Sequence, residues 1–178
     1  MYLWKDNPRK LQVRLAEHDW EGKVPGWQAD TETPSFDINI AEIHIHPEYR
    51  QTVHLLDLDL AMLKLSKEID FQSTLNVRPI CLPTETTDYA GRWAIVTGWG
   101  FNEDQNRTGG VLKEMQLTVQ TQNICDQTYP GKYSKFLCYQ AGDTQNAMAD
   151  GDSGGPVIAR WNYPNYELIG VHSVTYVP

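Results

Sequence analysis

Apolar residues recur at every second position along much of the chain, which is the spacing expected of half-buried β-strands. The clearest run extends from Phe36 to Ile45, and its alternation slips by one residue at Ala41. Because a strand's side chains point to its two faces in turn, a slip of one residue predicts a β-bulge or a bend. Pro47 ends the run, since proline has no N–H to donate to a neighbouring strand.

Further apolar runs predict strands over residues 56–65, 93–97, 111–119, 156–161 and 166–177. Turn-forming pairs such as Pro130-Gly131 and Pro164-Asn165 separate them. No helix longer than a few turns is predicted, and the segment from Ser73 to Gly91 is a candidate joint between two β halves. Many short strands with regular turns favour a barrel or a sandwich.

Composition narrows the class of protein. The 178 residues suit one domain or the larger part of one, and 40% hydrophobic with 21% charged residues is a globular composition. A formal net charge of −8 disfavours nucleic acid as a partner, because an acidic surface repels phosphates. No apolar run reaches the length that spans a membrane, and residues 1–10 do not form a signal peptide.

The segment from Asp150 to Pro156, with the sequence Asp-Gly-Asp-Ser-Gly-Gly-Pro, is the most informative candidate for chemistry. Glycines on both sides of Ser153 allow a sharp turn and a close approach to a substrate. Consecutive N–H groups in such a turn can point at one anionic oxygen. In isolation, a glycine-rich turn of this kind is usually only a turn, and it is the full string that is specific.

This string resembles the nucleophile motif of the trypsin-like serine peptidases. Further segments match that family in the same order; they are Leu11–Leu15, His46–Tyr49, Asp59–Leu65, Arg78–Pro83 and Val96–Gly100. The resemblance implies an all-β, chymotrypsin-like fold of two packed antiparallel six-stranded barrels. It implies one domain over 1–178, truncated at both ends, with the first barrel incomplete and the C-terminal helix missing. The partial first barrel would cover 1–75, the inter-barrel segment 76–92 and most of the second barrel 93–178.

The resemblance also implies roles for single residues. Ser153 would be the nucleophile, and the N–H groups of Gly151 and Ser153 would form the oxyanion hole. Asp59 would orient the catalytic histidine, and Ser173 would support Asp59 and offer its carbonyl to the substrate backbone. An aspartate among leucines is also costly to bury unpaired, which favours a specific partner for Asp59. No cofactor or metal is implied.

The catalytic histidine is the missing part of the pattern. The five histidines are His18, His44, His46, His54 and His172. By resemblance, none occupies the catalytic position, which would lie just before the segment that begins at Leu11. His172 is interpreted as a satisfied or exposed strand residue. A serine without a base is a weak nucleophile at neutral pH, so this chain by itself is expected to be nearly inactive. The family's free amino terminus, the partner of Asp152, is not expected here either, which implies a zymogen-like oxyanion loop.

Specificity is inferred from the residues that match the family's pocket, Ala147, Val174 and Thr175. Ala147 carries no charge at the pocket base, so a preference for cleavage after Arg or Lys is not expected. Thr175 stands where the family usually has glycine, and a bulkier wall favours small aliphatic side chains.

The three cysteines leave one without a partner in the chain. The resemblance pairs Cys125 with Cys138 and implies that Cys81 joins an upstream pro-segment or chain. Ala94 and Ala159 stand together where two family cysteines form a disulfide. Asn106-Arg107-Thr108 is a glycosylation sequon, which is relevant only in a secreted protein.

Two functions follow from these observations. The first is a secreted, extracellular serine endopeptidase that cleaves polypeptides through an acyl-enzyme on Ser153, with no nucleic acid or membrane partner. The alternative is a non-catalytic protease homologue that binds proteins through the same surface. The intact motif around Ser153 favours the first, and the missing histidine favours the second.

Overall fold

The computed structural model describes residues 8–21, 34–52, 55–84, 87–102, 107–108, 110–128, 136–141, 148–160 and 165–175. These residues form antiparallel β-structure with one short α-helix, which confirms the predicted all-β class. The chain divides into two compact units, Met1–Pro79 and Ile80–Pro178. Each unit has its own sheet.

The first unit is built on a three-stranded antiparallel sheet in the order β1-β2-β5. A 3-10 turn, Pro8–Lys10, precedes the strands of this unit, which are β1 (Gln12–Leu15), β2 (Phe36–Ile45), β3 (Arg50–Thr52), β4 (Leu55–Asp57) and β5 (Ala61–Leu65). Strands β3 and β4 form a separate two-stranded ribbon. The register between β2 and β5 shifts between Ile40 and Glu42, so the bulge predicted at Ala41 is confirmed.

The apolar run over 56–65 is broken in two, which corrects the prediction of one alternating strand. Leu58 has a φ of 53°, in the left-handed region that few residues other than glycine adopt. The Leu60 N–H donates to the Leu58 carbonyl at 2.7 Å, so the chain turns back before β5 begins. Periodicity alone does not reveal this break, because the leucines on both sides keep the same alternation.

The second unit contains a five-stranded antiparallel sheet in the order β10-β9-β6-β11-β12. Its elements are β6 (Trp93–Gly98), β7 (Phe101–Asn102), β8 (Arg107–Thr108), β9 (Lys113–Val119), α1 (Gln122–Thr128), β10 (Tyr139–Ala141), β11 (Pro156–Arg160) and β12 (Tyr166–Val171). Strands β7 and β8 pair only with each other. Strand β12 ends at Val171, several residues before the predicted end at 177, and residues 172–175 lie outside any strand.

Alternate residues of the three central strands form the core of the second unit. The core side chains that are at most 2% exposed in these strands are Ala94, Val96, Leu117, Val119, Val157 and Ala159. Ala94 and Ala159 are partners in the register of β6 and β11. The two alanines thus lie side by side, as their predicted match to a cysteine pair requires.

Helix α1 is attached to the same unit by a disulfide. Thr121 Oγ1 accepts a hydrogen bond from the Ile124 N–H at 3.4 Å, which caps the helix. Cys125 is 2% exposed and forms a disulfide with Cys138, as predicted. The bond joins α1 to the residue that precedes β10. Cys81 is exposed, and its thiol is free.

Candidate active site

Ser153 lies in a tight turn directly before β11. Gly151 and Gly154 have φ angles of 97° and 93°, which glycine adopts at little cost and other residues rarely adopt. The Asp152 N–H donates to the Ala149 carbonyl at 3.1 Å, and the Gly155 N–H to the Asp152 carbonyl at 2.9 Å. These two bonds close the turn and leave Ser153 exposed at its tip.

The carboxylate of Asp152 fixes this turn from its inner side. It accepts hydrogen bonds from the N–H groups of Gly100 at 2.8 Å and Ala149 at 3.0 Å. A Cβ on either Gly98 or Gly100 would overlap the Asp152 carboxyl group. Glycine at positions 98 and 100, at the end of β6 and just past it, is therefore required so that the backbone can approach this carboxylate.

The segment that follows β12 runs beside the turn. The Gly154 N–H donates to the His172 carbonyl at 2.7 Å, and the His172 N–H donates to the Gly155 carbonyl at 2.8 Å. The Ser153 hydroxyl donates to the Ser173 carbonyl at 3.0 Å. Three hydrogen bonds thus connect the serine turn to residues 172 and 173 and bring Ser153 and Ser173 together.

His172 is 3% exposed and lies behind this segment. Its Nδ1 is hydrogen-bonded to the Tyr139 hydroxyl, and its Nε2 lies 3.2 Å from Thr175 Oγ1. Burial lowers the pKa of His172, and the negative charge of Asp152 partly opposes this. Burial, with a smaller contribution from Asp152, raises the pKa of Tyr139 to about 12. The imidazole and the phenol are therefore both neutral at pH 7.

The sequence pattern does not single out Tyr139 or the place of His172 in this arrangement. It predicts a satisfied or an exposed histidine at position 172, and the burial and the two hydrogen bonds show a satisfied one. The available signal was the position of a histidine directly after the apolar run Leu168–Val171, two residues before a candidate pocket residue. Thr175 is in contact with His172, whereas Val174 is 45% exposed.

Asp59 belongs to the first unit, in the turn between β4 and β5. It is half-buried, and it takes part in at least one interaction. The neighbouring apolar side chains are less buried than the alternation predicted, since Leu60 is 45% and Met62 is 73% exposed. The expected role of Asp59 stays a prediction.

Other predicted features fall outside the active-site turn or outside the described residues. His44 is exposed and lies 3.0 Å from Glu42. Ala147, His54 and Asn106 lie outside the described residues. Within the described ranges, no group of three or more His, Cys, Asp or Glu side chains is arranged to hold a metal ion. No helix of the described chain is long and apolar enough to cross a membrane.

Comparison with known proteins identifies a family for the whole chain. The trypsin family model matches residues 6–178. The vitamin K-dependent protein C of Oryctolagus cuniculus is 35% identical over 181 residues, which is 94% of this chain and 36% of that protein. The serine protease filzig of Drosophila melanogaster is 31% identical over 92% of this chain and 9% of its own length.

A third relative, the proclotting enzyme of Tachypleus tridentatus, is 29% identical over 92% of this chain and 42% of its own length. The chain thus spans less than half the length of each of these three relatives. The match to the family model includes the Ser153 turn, Asp59 and the segment around Ser173. On this evidence the chain belongs to the trypsin family of serine peptidases, with a trypsin-like serine protease domain of the chymotrypsin-like all-β class.

Proposed function

We propose that this chain is part of a serine endopeptidase in which Ser153 is the nucleophile. The observation that carries the proposal is an exposed serine on a glycine-formed turn, anchored from behind by the Asp152 carboxylate. A turn held by backbone hydrogen bonds keeps the hydroxyl in one place, which is what a positioned nucleophile requires.

In the proposed reaction, Ser153 Oγ attacks the carbonyl carbon of a peptide bond while a base removes its proton. The resulting oxyanion would be stabilised by the N–H groups of Gly151 and Ser153. Within the described part of the chain, neither N–H donates to a backbone carbonyl. The protonated amine leaves, and water then hydrolyses the ester on Ser153 to regenerate the hydroxyl.

The base that removes the proton of Ser153 is the group that this chain does not supply by itself. None of the five histidines matches the catalytic position of the family, and the Ser153 hydroxyl instead donates to the Ser173 carbonyl. A carbonyl oxygen holds the hydroxyl but does not accept its proton. We therefore propose that this chain alone has little activity, with Asp59 as the residue that would orient a histidine.

The substrate would bind as an extended strand beside residues 173–175, which lie past the end of β12 and make no strand of their own. Main-chain hydrogen bonds along such an edge give affinity without selecting side chains. Ala147, Val174 and Thr175 would form the side-chain pocket and favour small, uncharged residues over Arg or Lys. The neutral Ala147 and the bulk of Thr175 support this preference.

The location of the enzyme and its zymogen form are part of the same proposal. Trypsin-family membership, a disulfide between Cys125 and Cys138 and a sequon at Asn106 support a secreted, extracellular zymogen. The free and exposed Cys81 is available for a disulfide to another segment or chain. Substrates of this family are polypeptides, and no nucleic acid or membrane partner is proposed.

A non-catalytic, protein-binding homologue is the second candidate function. It is favoured by one observation: among the described residues, the Ser153 hydroxyl donates to the Ser173 carbonyl and no hydrogen bond to a base is found. The intact turn argues against this candidate. A surface that only binds protein does not need a serine at the tip of a turn formed by two glycines with positive φ angles.

Hydrolysis of p-nitrophenyl acetate by this chain, with and without added imidazole, tests the two candidates. Free imidazole can act as the missing base, so we expect it to increase a Ser153-dependent rate beyond its own solution rate. Ser153→Ala should abolish that increase, whereas Ser73→Ala, at another exposed serine, should retain it. Equal rates for the chain and for Ser153→Ala at every imidazole concentration would reject the enzyme and leave the binding homologue.

A further inference from the structure

The two edges of the five-stranded sheet approach each other through side chains. The strand order places β10 at one edge and β12 at the other. Tyr139 is the first residue of β10, and His172 directly follows β12. The hydrogen bond between the Tyr139 hydroxyl and His172 Nδ1 therefore joins opposite edges of the same sheet.

A second contact supports this approach of the edges. Leu137, which precedes β10, places a methyl group 3.3 Å from the position that a Cβ on Gly170 would occupy. Gly170 lies in β12, so the absence of a side chain there lets the two edges come close. The rings of Tyr139 and His172 have centroids 6.0 Å apart, which adds an aromatic contact.

The hydrogen bonds continue from His172 to the surface segment. The Nε2 atom lies 3.2 Å from Thr175 Oγ1, so both ring nitrogens have a hydroxyl partner. In a neutral imidazole one nitrogen donates and the other accepts, and a hydroxyl can do either. The three side chains can therefore form one continuous chain of hydrogen bonds from the half-buried Tyr139 to the exposed Thr175.

We propose that Tyr139, His172 and Thr175 form a clasp that joins the sheet edges and positions residues 173–175 beside Ser153. The His172 backbone bonds to Gly154 and Gly155, and the Ser153 hydroxyl bonds to the carbonyl of the next residue, Ser173. A displacement of His172 would therefore also move the Ser173 carbonyl that holds the Ser153 hydroxyl. The three are positioning residues, and their relevance to substrate rests on the function proposed above.

The charge of His172 is important for the clasp. The groups that face the imidazole are the Tyr139 phenol from β10, the Thr175 hydroxyl from its own segment and the Asp152 carboxylate from the serine turn. Burial disfavours the charged imidazole more than Asp152 favours it. The clasp therefore operates with a neutral histidine.

Amide hydrogen exchange tests the clasp without using catalysis. In Tyr139→Phe, we expect the Gly154 and His172 amides, which donate hydrogen bonds between the two segments, to exchange roughly tenfold faster. Tyr89→Phe is the matched control, because it removes the hydroxyl of another tyrosine of this unit, one whose part-buried hydrogen bond goes to Glu167. The control should leave those two amides within about twofold of the wild type.

Exposed Thr175 provides a second pair of variants that is not expected to unfold the chain. Thr175→Val should accelerate exchange of the same amides, and Thr175→Ser, which keeps the hydroxyl, should not. Unchanged exchange in Tyr139→Phe, equal acceleration in Tyr89→Phe, or equal behaviour of the two Thr175 variants would overturn the proposal. The imidazole assay reports on Ser153 separately, so failure of the clasp and failure of the proposed enzyme give different results.

Discussion

The three-stranded and the five-stranded sheet differ in how deeply they bury their apolar residues. In the second unit, alternate residues of β6, β9 and β11 are at most 2% exposed. In the first unit, only Ile38 and Ile40 of the described residues are buried to that extent, and Met62 and Leu63 of β5 are 73% and 46% exposed. The serine turn is thus connected to a densely packed sheet, whereas Asp59 precedes a strand that is largely exposed.

The strands of the first unit are joined by exposed charged pairs, whereas those of the second unit are joined by buried apolar side chains. Arg14 and Asp37 form two hydrogen bonds across β1 and β2, and Lys64 contacts Glu42 across β5 and β2. All four side chains are exposed, and exposed ion pairs contribute little to stability. The comparison teaches that the stability of the serine turn depends on core packing, and that mutations should affect the two units unequally.

Truncation in the core should produce the largest effect. Leu117→Ala removes a side chain that is 1% exposed, and we expect it to lower the free energy of unfolding by about 3 kcal/mol. Met62→Ala, at a residue 73% exposed, is the control and should change it by less than about 0.5 kcal/mol. Urea denaturation followed by circular dichroism would measure both, and similar losses would contradict the comparison.

Removal of the disulfide should have an effect of similar or slightly smaller size, also confined to the second unit. The Cys125–Cys138 bond closes a loop with a sequence separation of 13. In the chain-entropy model such a loop contributes about 3 kcal/mol. The double variant Cys125→Ser with Cys138→Ser should unfold at a correspondingly lower urea concentration, and Cys81→Ser should not. Equal midpoints for the double variant and the wild type would be inconsistent with this expectation.

Substitution at Gly100 should disturb the serine turn in particular. The Cβ of Gly100→Ala would overlap the Asp152 carboxyl group, and relief of that overlap should cost about 2 kcal/mol. Gly91→Ala meets open space and carries only the strain of a φ of 77°, about 1 kcal/mol. Nuclear magnetic resonance should show displaced Asp152 and Ser153 signals in the first variant only; displacement in both would contradict the role of Gly100.

Acid should destabilise the second unit through His172, by less than the changes above. Its pKa is lowered in the folded chain, so the unfolded chain binds the proton more readily. This stability is fully present above the unfolded pKa of about 6.5 and is lost as the pH falls below it. The urea midpoint of wild type should therefore drop more between pH 7.5 and pH 5 than that of His172→Gln. Parallel decreases would exclude this contribution.

The smallest effect is expected at the ion pair of the first unit. Hydrogen bonding and attraction to Arg14 lower the pKa of Asp37, so this contribution is present above the ordinary carboxyl pKa and is lost in acid. Arg14→Gln should raise the pKa of Asp37 toward its ordinary value and leave the urea midpoint nearly unchanged. Carboxyl titration by nuclear magnetic resonance would measure the shift, which should shrink with added salt.

Local sequence was sufficient for several parts of the fold. The slip at Ala41 predicted the register shift between Ile40 and Glu42, because a strand must keep one face toward the core. The glycines around Ser153 predicted a sharp turn, because glycine adopts positive φ angles at little cost. The structure has that turn, with φ angles of 97° at Gly151 and 93° at Gly154. Each of these signals depends on only a few adjacent residues.

The sequence was insufficient where a residue's environment depends on distant segments. The leucines of 56–65 kept their alternation through the break at Leu58, so periodicity predicted one strand where there are two. It also predicted more burial for Leu60 than its 45% exposure. Alternation gives the two faces of a strand but does not say what covers either face.

By itself the sequence determined the β class and the serine turn, through alternation and glycine positions, and its resemblance to the trypsin family gave the Cys125–Cys138 pair. Only the tertiary structure decided that His172 meets Tyr139, two residues that are 33 positions apart and lie at opposite edges of one sheet. The strand order places the two residues at opposite edges, and contact between those edges depends on the packing of all five strands at once. No short stretch of sequence contains that information.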